Sequence, residues 1–295
     1  MQKRKVLNSP RLLELRRRRH QEFQYKILLC LAAILSLFSL FTYVSRIPSL
    51  NIDSIEISGN KVIEGEAIQA VVNENLTGHF LWAFPKTNIF FYPKNKIIAR
   101  LRDNFSRLND ITFAVDRLQS AESTNVLKIN VTEREAFYMW CGPIRKIPDV
   151  LEIEETAGES QCYFMDEDGF IFDEAPYFSG EVYFKFYGPA EESYFSPQNF
   201  EQLILFKNAL ENMKLKPIAL DVEANGDARM FLSRETAPIS PEIIFKTDSD
   251  FQKIAENLET ALATEPLQSS FNNNYSNLLY LDLRFGNKVY YKFRP

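Results

Sequence analysis

The sequence predicts an α+β protein: a single transmembrane helix, a small β-α-α-β-β domain, and a larger mixed or antiparallel β-rich domain with two helices. Three observations predict it. An uncharged apolar run long enough to cross a bilayer lies near the N-terminus. Hydrophobic periodicity then switches between strand and helix spacing over about 80 residues, the size of one small domain. Past Arg134 the chain turns to short aromatic-rich segments broken by turns, ending in a hairpin. The expected parts are a basic cytoplasmic tail at 1–26, a transmembrane helix at 27–45, a first domain at 50–133 and a second at 134–295.

The membrane segment is justified first. Ile27 to Val44 is 18 consecutive residues whose only clear polarity is at Ser36, Ser39 and Thr42. At the rise of an α-helix the run is about 27 Å long, enough for the hydrocarbon core. A cleaved signal peptide would end in a small-x-small site, whereas the exit here reads Tyr43-Val44-Ser45-Arg46, so an uncleaved anchor is expected. Residues 1–26 hold nine Lys or Arg against Glu14 and Glu22, a net +7; the whole chain is −5, so the remainder carries −12. The positive-inside rule puts the N-terminus in the cytoplasm, as a single-pass type II protein of the cytoplasmic (inner) membrane with its bulk outside. A basic run beside a spanning helix acts as a topology signal and touches anionic lipid, so no nucleic-acid partner is expected.

In the first domain, Asn51 to Ser58 alternates as a strand, with Asp53, Ile55 and Ile57 opposite Ile52, Ser54, Glu56 and Ser58, and stops at Gly59-Asn60. Glu64 to Leu76 sets Ile68, Val71, Val72 and Leu76 at helical spacing before Gly78. Lys94 to Phe105 repeats that pattern with Ile97, Ile98, Leu101 and Phe105. Strands follow at Ile111 to Leu118 and Asn125 to Glu133, the second placing Leu127, Ile129 and Val131 on one face.

In the second domain, Ala136 to Trp140 and Cys162 to Met165 read as strands, and Asp168-Gly169 as the turn into Phe170-Ile171-Phe172. Pro197 in Ser196-Pro197 opens a helix with an apolar face of Phe200, Leu203, Ile204, Phe206, Leu210 and Met213. Strands are expected at Ile218 to Glu223, Arg229 to Ser233 and Glu242 to Lys246, then a helix from Asp250 to Ala263. In the closing hairpin Leu279, Leu281, Leu283 and Phe285 share a face, Gly286-Asn287 turns, and Val289, Tyr291 and Phe293 form the apolar face of the last strand.

Little of this suits catalysis. The histidines are His20, on the cytoplasmic side, and His79, so a Ser-His-Asp triad or a zinc site would have to rest on His79 with no second His outside the membrane, and His79 reads as a loop residue beside Gly78. Asp166, Glu167, Asp168 and Asp173 suggest calcium, but Ile171 stands where an EF-hand loop needs Gly, so the cluster reads as a hairpin turn. No phosphate- or dinucleotide-binding fingerprint occurs, and no cofactor is expected. A carboxylate pair for glycan hydrolysis stays open, because distance in space is not legible in sequence. Glu133-Arg134 reads as an acid-base or ion-pair element, with a structural role preferred. Cys30 lies in the membrane run; Cys141 and Cys162 end two segments expected to pair, so we expect a disulfide between them.

Taken together, these segments resemble the bacterial cell-division family FtsQ, called DivIB in Gram-positive bacteria, over nearly the whole chain. Ile55-Glu56-Ile57-Ser58-Gly59-Asn60 resembles the first strand and turn of the family's POTRA domain. Leu127 to Arg134 resembles the strand that closes that domain, with Trp140 in the next motif. Tyr163-Phe164-Met165-Asp166 and Asp168-Gly169-Phe170-Ile171-Phe172 resemble its aromatic hairpin, and Leu281 to Gly286 its C-terminal Asp-Leu-Arg-aromatic strand. Ala136 and Tyr138 depart from the pattern, standing where a proline and a small residue are usual.

The resemblance implies a non-enzymatic scaffold of the division machinery, enriched at the septum. It implies small bitopic coiled-coil partners like FtsB and FtsL at the β-domain, and other division proteins at the POTRA domain. A partner strand would add to the C-terminal edge, with Arg284, Phe285, Gly286, Val289, Tyr291 and Phe293 as contacts and Arg284 free for a partner carboxylate. The alternatives are a POTRA-bearing factor of envelope protein transport and a membrane-anchored cell-wall hydrolase.

Overall fold

The computed structural model describes residues 10–118, 124–142, 161–178, 180–196, 198–233 and 240–295. It is a mixed α+β structure with one N-terminal helix long and apolar enough to span a membrane, and a sheet-rich remainder. The chain divides into two units, Met1–Glu133 and Arg134–Pro295.

Unit 1 opens with helix α1 (Pro10–Ser45). The helix is longer than the 27–45 expected, because the Arg, Leu, Glu and Gln residues before the apolar run are themselves good helix formers. Asn51 and Asn88 tie down its end, and Asn125 holds the turn that follows. Asn88 Nδ2 donates to the Ser45 carbonyl at 3.2 Å, and Asn51 Nδ2 donates to the carbonyls of Ser45 at 3.0 Å and Ile47 at 2.8 Å. Asn125 Nδ2 reaches the carbonyls of Ser49 and Asn51, both at 2.9 Å.

Strand β1 (Ile52–Ser58), helix α2 (Gly65–Leu76), the two-residue strands β2 (His79–Phe80) and β3 (Phe84–Pro85), helix α3 (Lys94–Asn104), and strands β4 (Leu108–Leu118) and β5 (Thr124–Glu133) complete the unit. The main sheet has the order β1-β5-β4, with β1 parallel and β4 antiparallel to β5. Leu127, Ile129 and Val131 of β5 meet Ile68, Val72 and Leu76 of α2 and Ile97 and Leu101 of α3 in one core. The alternation expected in β1 breaks at its start. Its register shifts between Ile52 and Ser54, so Ile52 joins Ile55 and Ile57 against that core despite odd spacing.

Unit 2 contains β6 (Tyr138–Trp140), β7 (Tyr163–Met165), β8 (Ile171–Glu174), β9 (Phe184–Tyr187), β10 (Ala190–Glu191), β11 (Tyr194–Phe195), α4 (Phe200–Asn212), β12 (Pro217–Val222), β13 (Asp227–Leu232) and β14 (Glu242–Lys246). It ends with α5 (Phe251–Leu262), α6 (Leu267–Asn274), β15 (Leu278–Phe285) and β16 (Lys288–Phe293). Among the described residues three α-helices stand where two were expected. Nine strands form one sheet in the order β16-β15-β14-β13-β12-β9-β6-β7-β8.

Residues from α4, α5 and α6 and one face of the sheet share a single core, with Phe186, Phe206, Leu220, Met230, Phe245 and Leu281 fully buried. Aromatic rings meet edge-on within it, Phe206 and Phe245 at 5.0 Å and Phe245 and Phe251 at 5.8 Å. Asp250 caps α5 by accepting from the Lys253 N–H at 3.1 Å. Pro197, expected to open α4, lies outside the described residues; the first helical residue is Phe200.

Cys141 and Cys162 are joined in a disulfide, which closes a separation of 21 residues beside a smaller cluster of Tyr187, Ala219 and Phe231.

Candidate interaction edge

The terminal hairpin is built by local chemistry. Gly286 takes φ +68° at the turn, with nothing within 4 Å of where a Cβ would stand, and the strands flanking it pair antiparallel. β16 is the outermost strand of its sheet, hydrogen-bonded to β15 on one side only. Among the described residues its outer row of backbone N–H and C=O groups has no partner strand, the arrangement that invites strand addition.

The opposite end of the sheet differs. At β8 the Ile171 N–H donates to the Ser193 carbonyl at 2.7 Å, the Phe195 N–H donates to the Gly169 carbonyl at 3.0 Å, and Phe170 bridges to Tyr194. The β10–β11 hairpin thus covers the start of β8, at Gly169–Ile171, whereas no described strand pairs with the outer side of β16.

The side chains expected to make partner contacts fall into three sets. Val289 and Phe293 are half-buried against the main core, so part of their surface serves the fold. Phe285 and Tyr291 are exposed, and Tyr291 leans edge-on against Phe293 at 5.9 Å.

Arg284 requires a correction. It is not free for a partner carboxylate: its Nε and Nη2 donate to the two oxygens of Asp282 at 3.0 and 2.7 Å, and its Nη1 donates to Asp227 at 2.9 Å. The hydrogen bonds it donates to Asp282, with the bond to Asp227 adding to them, hold the guanidinium more firmly protonated than usual against the opposing effect of burial. The physical reason is intrachain complementarity: a buried carboxylate at Asp282 demands a partner, and a planar guanidinium two residues on meets it bidentately.

The strand faces also differ from expectation. Register shifts between Leu278 and Tyr280 and between Asp282 and Phe285 put Leu278 in the core with Leu281 and Leu283, and leave Phe285 55% exposed. Phe285 meets Tyr290 edge-on at 5.2 Å. Tyr290, 49% exposed, is a further exposed ring of this hairpin that sequence reasoning did not single out. The available signal was its place on the face opposite Val289, Tyr291 and Phe293.

Glu133 and Arg134, read together as one element, serve different units. The Glu133 carboxylate accepts from the backbone N–H groups of Lys61 at 2.7 Å, Val62 at 2.9 Å and Ile63 at 3.0 Å. Burial alone would raise its pKa, but the three backbone donors, helped by the charge of Arg107, outweigh burial and leave it below the usual carboxylate value. Arg134 pairs with Asp166 and lies 3.9 Å over the Phe170 ring. Asp166 also accepts from the N–H groups of Asp168 at 3.1 Å and Phe170 at 2.8 Å, so the cluster suspected of calcium binding uses this carboxylate to hold its turn.

Comparison with protein-family models and with curated proteins gave no match to this chain.

Proposed function

We propose that this chain is a non-enzymatic, bitopic scaffold of the bacterial division machinery, of the FtsQ/DivIB kind. In this reading the basic tail stays in the cytoplasm and α1 crosses the inner membrane. Unit 1 is a POTRA-type domain, and unit 2 is a β-domain that receives a strand from a small coiled-coil partner similar to FtsB or FtsL. The observation that carries the reading is the edge at β16, which has no partner strand among the described residues, whereas the start of β8 at the other end is covered by the β10–β11 hairpin. A strand laid beside β16 would complete its backbone hydrogen bonds, while Phe285 and Tyr290 offer ring surface to the partner's side chains. The strand order of unit 1 and the strongly basic tail beside an apolar helix agree with the same reading.

The test is deletion of Lys288 to Pro295 from the full-length chain, followed in dividing cells by a fluorescent fusion and by capture of bound proteins. The intact chain should form a midcell ring and capture a small bitopic coiled-coil protein. The truncated chain should remain in the membrane and lose that capture. Undiminished capture by the truncated chain, or a uniform membrane signal from the intact one, would refute the proposal.

A further inference from the structure

Unit 1 carries a second surface, used neither by its core nor by the proposed scaffold role. The β2–β3 hairpin is closed by the Ala83 N–H, which donates to the Phe80 carbonyl at 3.2 Å. Its two central residues, Leu81 and Trp82, have φ of 47° and 59°, the left-handed pair of a type I′ turn. Asn and Gly adopt that conformation readily; Leu and Trp do not. The side chains held up on this unfavourable turn are largely bare: Trp82 is 97% exposed, Leu81 65% and Phe80 57%. Phe90 and Phe91 farther along the same loop are 73% and 60% exposed. Five large apolar side chains left open within a dozen residues mark an interaction surface.

The position of the loop identifies what covers it. Within unit 1 the Phe84 ring meets the Phe38 ring of α1 edge-on at 5.7 Å, and Phe91 lies 6.1 Å from Phe84. Asn88, from the same loop, donates to Ser45 at the end of α1. Phe38 stands seven residues before that end, which is about 10 Å back along the helix and inside the uncharged stretch. A loop residue packed on Phe38 therefore lies beyond the plane where α1 leaves the hydrocarbon. Charge agrees with that depth. From His79 to Tyr92 the one Lys, Asp, Glu or Arg is Lys86, whose Nζ is held by the Thr77 carbonyl at 3.0 Å.

We propose that the loop from His79 to Tyr92 is a membrane-interface element, with Phe80, Leu81, Trp82, Phe90 and Phe91 entering the headgroup–acyl boundary of the lipid beside α1. Trp and Phe suit that depth, because their large apolar rings leave water there and the indole N–H keeps a polar partner. Unit 1 is then held against the bilayer at two places, the helix and the loop. The inference rests on α1 crossing the bilayer.

The experiment uses the full-length chain in phosphatidylcholine nanodiscs with plain or acyl-brominated lipid, as wild type and as W82F. Trp82 and Trp140 are the two tryptophans, so the variant reports Trp140 alone. Trp82 packs in no core, and its replacement leaves the fold intact. Cys30 is the free cysteine, with Cys141 and Cys162 bonded to each other, so a membrane-impermeant maleimide reads the insertion of α1 separately. Protected Cys30 together with a bromine-quenched emission component that disappears in W82F is the expected result. Protected Cys30 with equal quenching in wild type and W82F overturns the inference and assigns the patch to a protein partner. Cys30 labelled in intact discs overturns the spanning helix, and the loop's depth with it.

Discussion

Replacing Glu133 by Gln should loosen the turn at Lys61–Ile63 by a calculable amount. In the wild type one carboxylate oxygen accepts from Lys61 at 2.7 Å, Val62 at 3.1 Å and Ile63 at 3.0 Å, and the other accepts from Val62 at 2.9 Å. Glutamine keeps one acceptor and turns an NH₂ donor toward the Val62 N–H. It therefore loses the charge assistance of three bonds and sets donor against donor. Hydrogen bonds to charged groups contribute about 1.5–3 kcal/mol each, but water reaches this turn and replaces part of the loss, so the net cost is about 1–3 kcal/mol.

The assay is hydrogen exchange on the full-length chain, reading the amides of residues 61–63. Exchange through local opening should quicken about 5–150-fold at neutral pH, at 1.4 kcal/mol per factor of ten. The sign of the pH dependence follows from the depressed pKa. The carboxylate's contribution is complete above the unfolded Glu value of about 4.3 and is lost as pH falls through the lower folded value. Wild type and variant should therefore converge in acid, because a protonated Glu133 is nearly a glutamine. Equal exchange at neutral pH, or a gap that persists undiminished in strong acid, would refute the reasoning.

Two glycines should separate by geometry: Gly59→Ala meets the Val131 carbonyl oxygen at 2.1 Å with φ +86°, whereas Gly286→Ala has φ +68° and open space around it. The first should cost about 3 kcal/mol or more and strip exchange protection from β1 and β5, and the second about 1 kcal/mol. Replacing Phe285 and Tyr290 together by Ser should leave thermal melting of unit 2 within about 1 kcal/mol of wild type, since both rings are exposed. Capture of the partner should fall about tenfold or more, read by quantitative co-purification.

Sequence by itself determined what depends on neighbours along the chain. The N-terminal helix long and apolar enough to span a membrane was legible because an uncharged apolar run needs no tertiary partner to be recognised. The same holds for α2, α3 and α5, whose apolar stripes recur at helical spacing, and for β5, whose alternation selects Leu127, Ile129 and Val131 for the core. The tight turn at Gly286 was also local.

What the sequence did not carry was contact between distant segments. β9 is four residues long and is held between β6 and β12, parallel to both, so no local pattern marks it. α6 is rich in Ser and Asn, and its folding rests on burial of Leu267 and the packing of Phe271. Single-residue register shifts at Ile52, Leu278 and Asp282 moved side chains between faces, because the period of a strand is two and one extra residue reverses every assignment after it. Tertiary structure alone therefore decided that Arg284 turns inward to Asp282 and Asp227 while Phe285 turns outward to Tyr290. It also decided that β16 has a described partner strand on one side only, and that the loop bearing the strained turn packs Phe84 against Phe38 of α1.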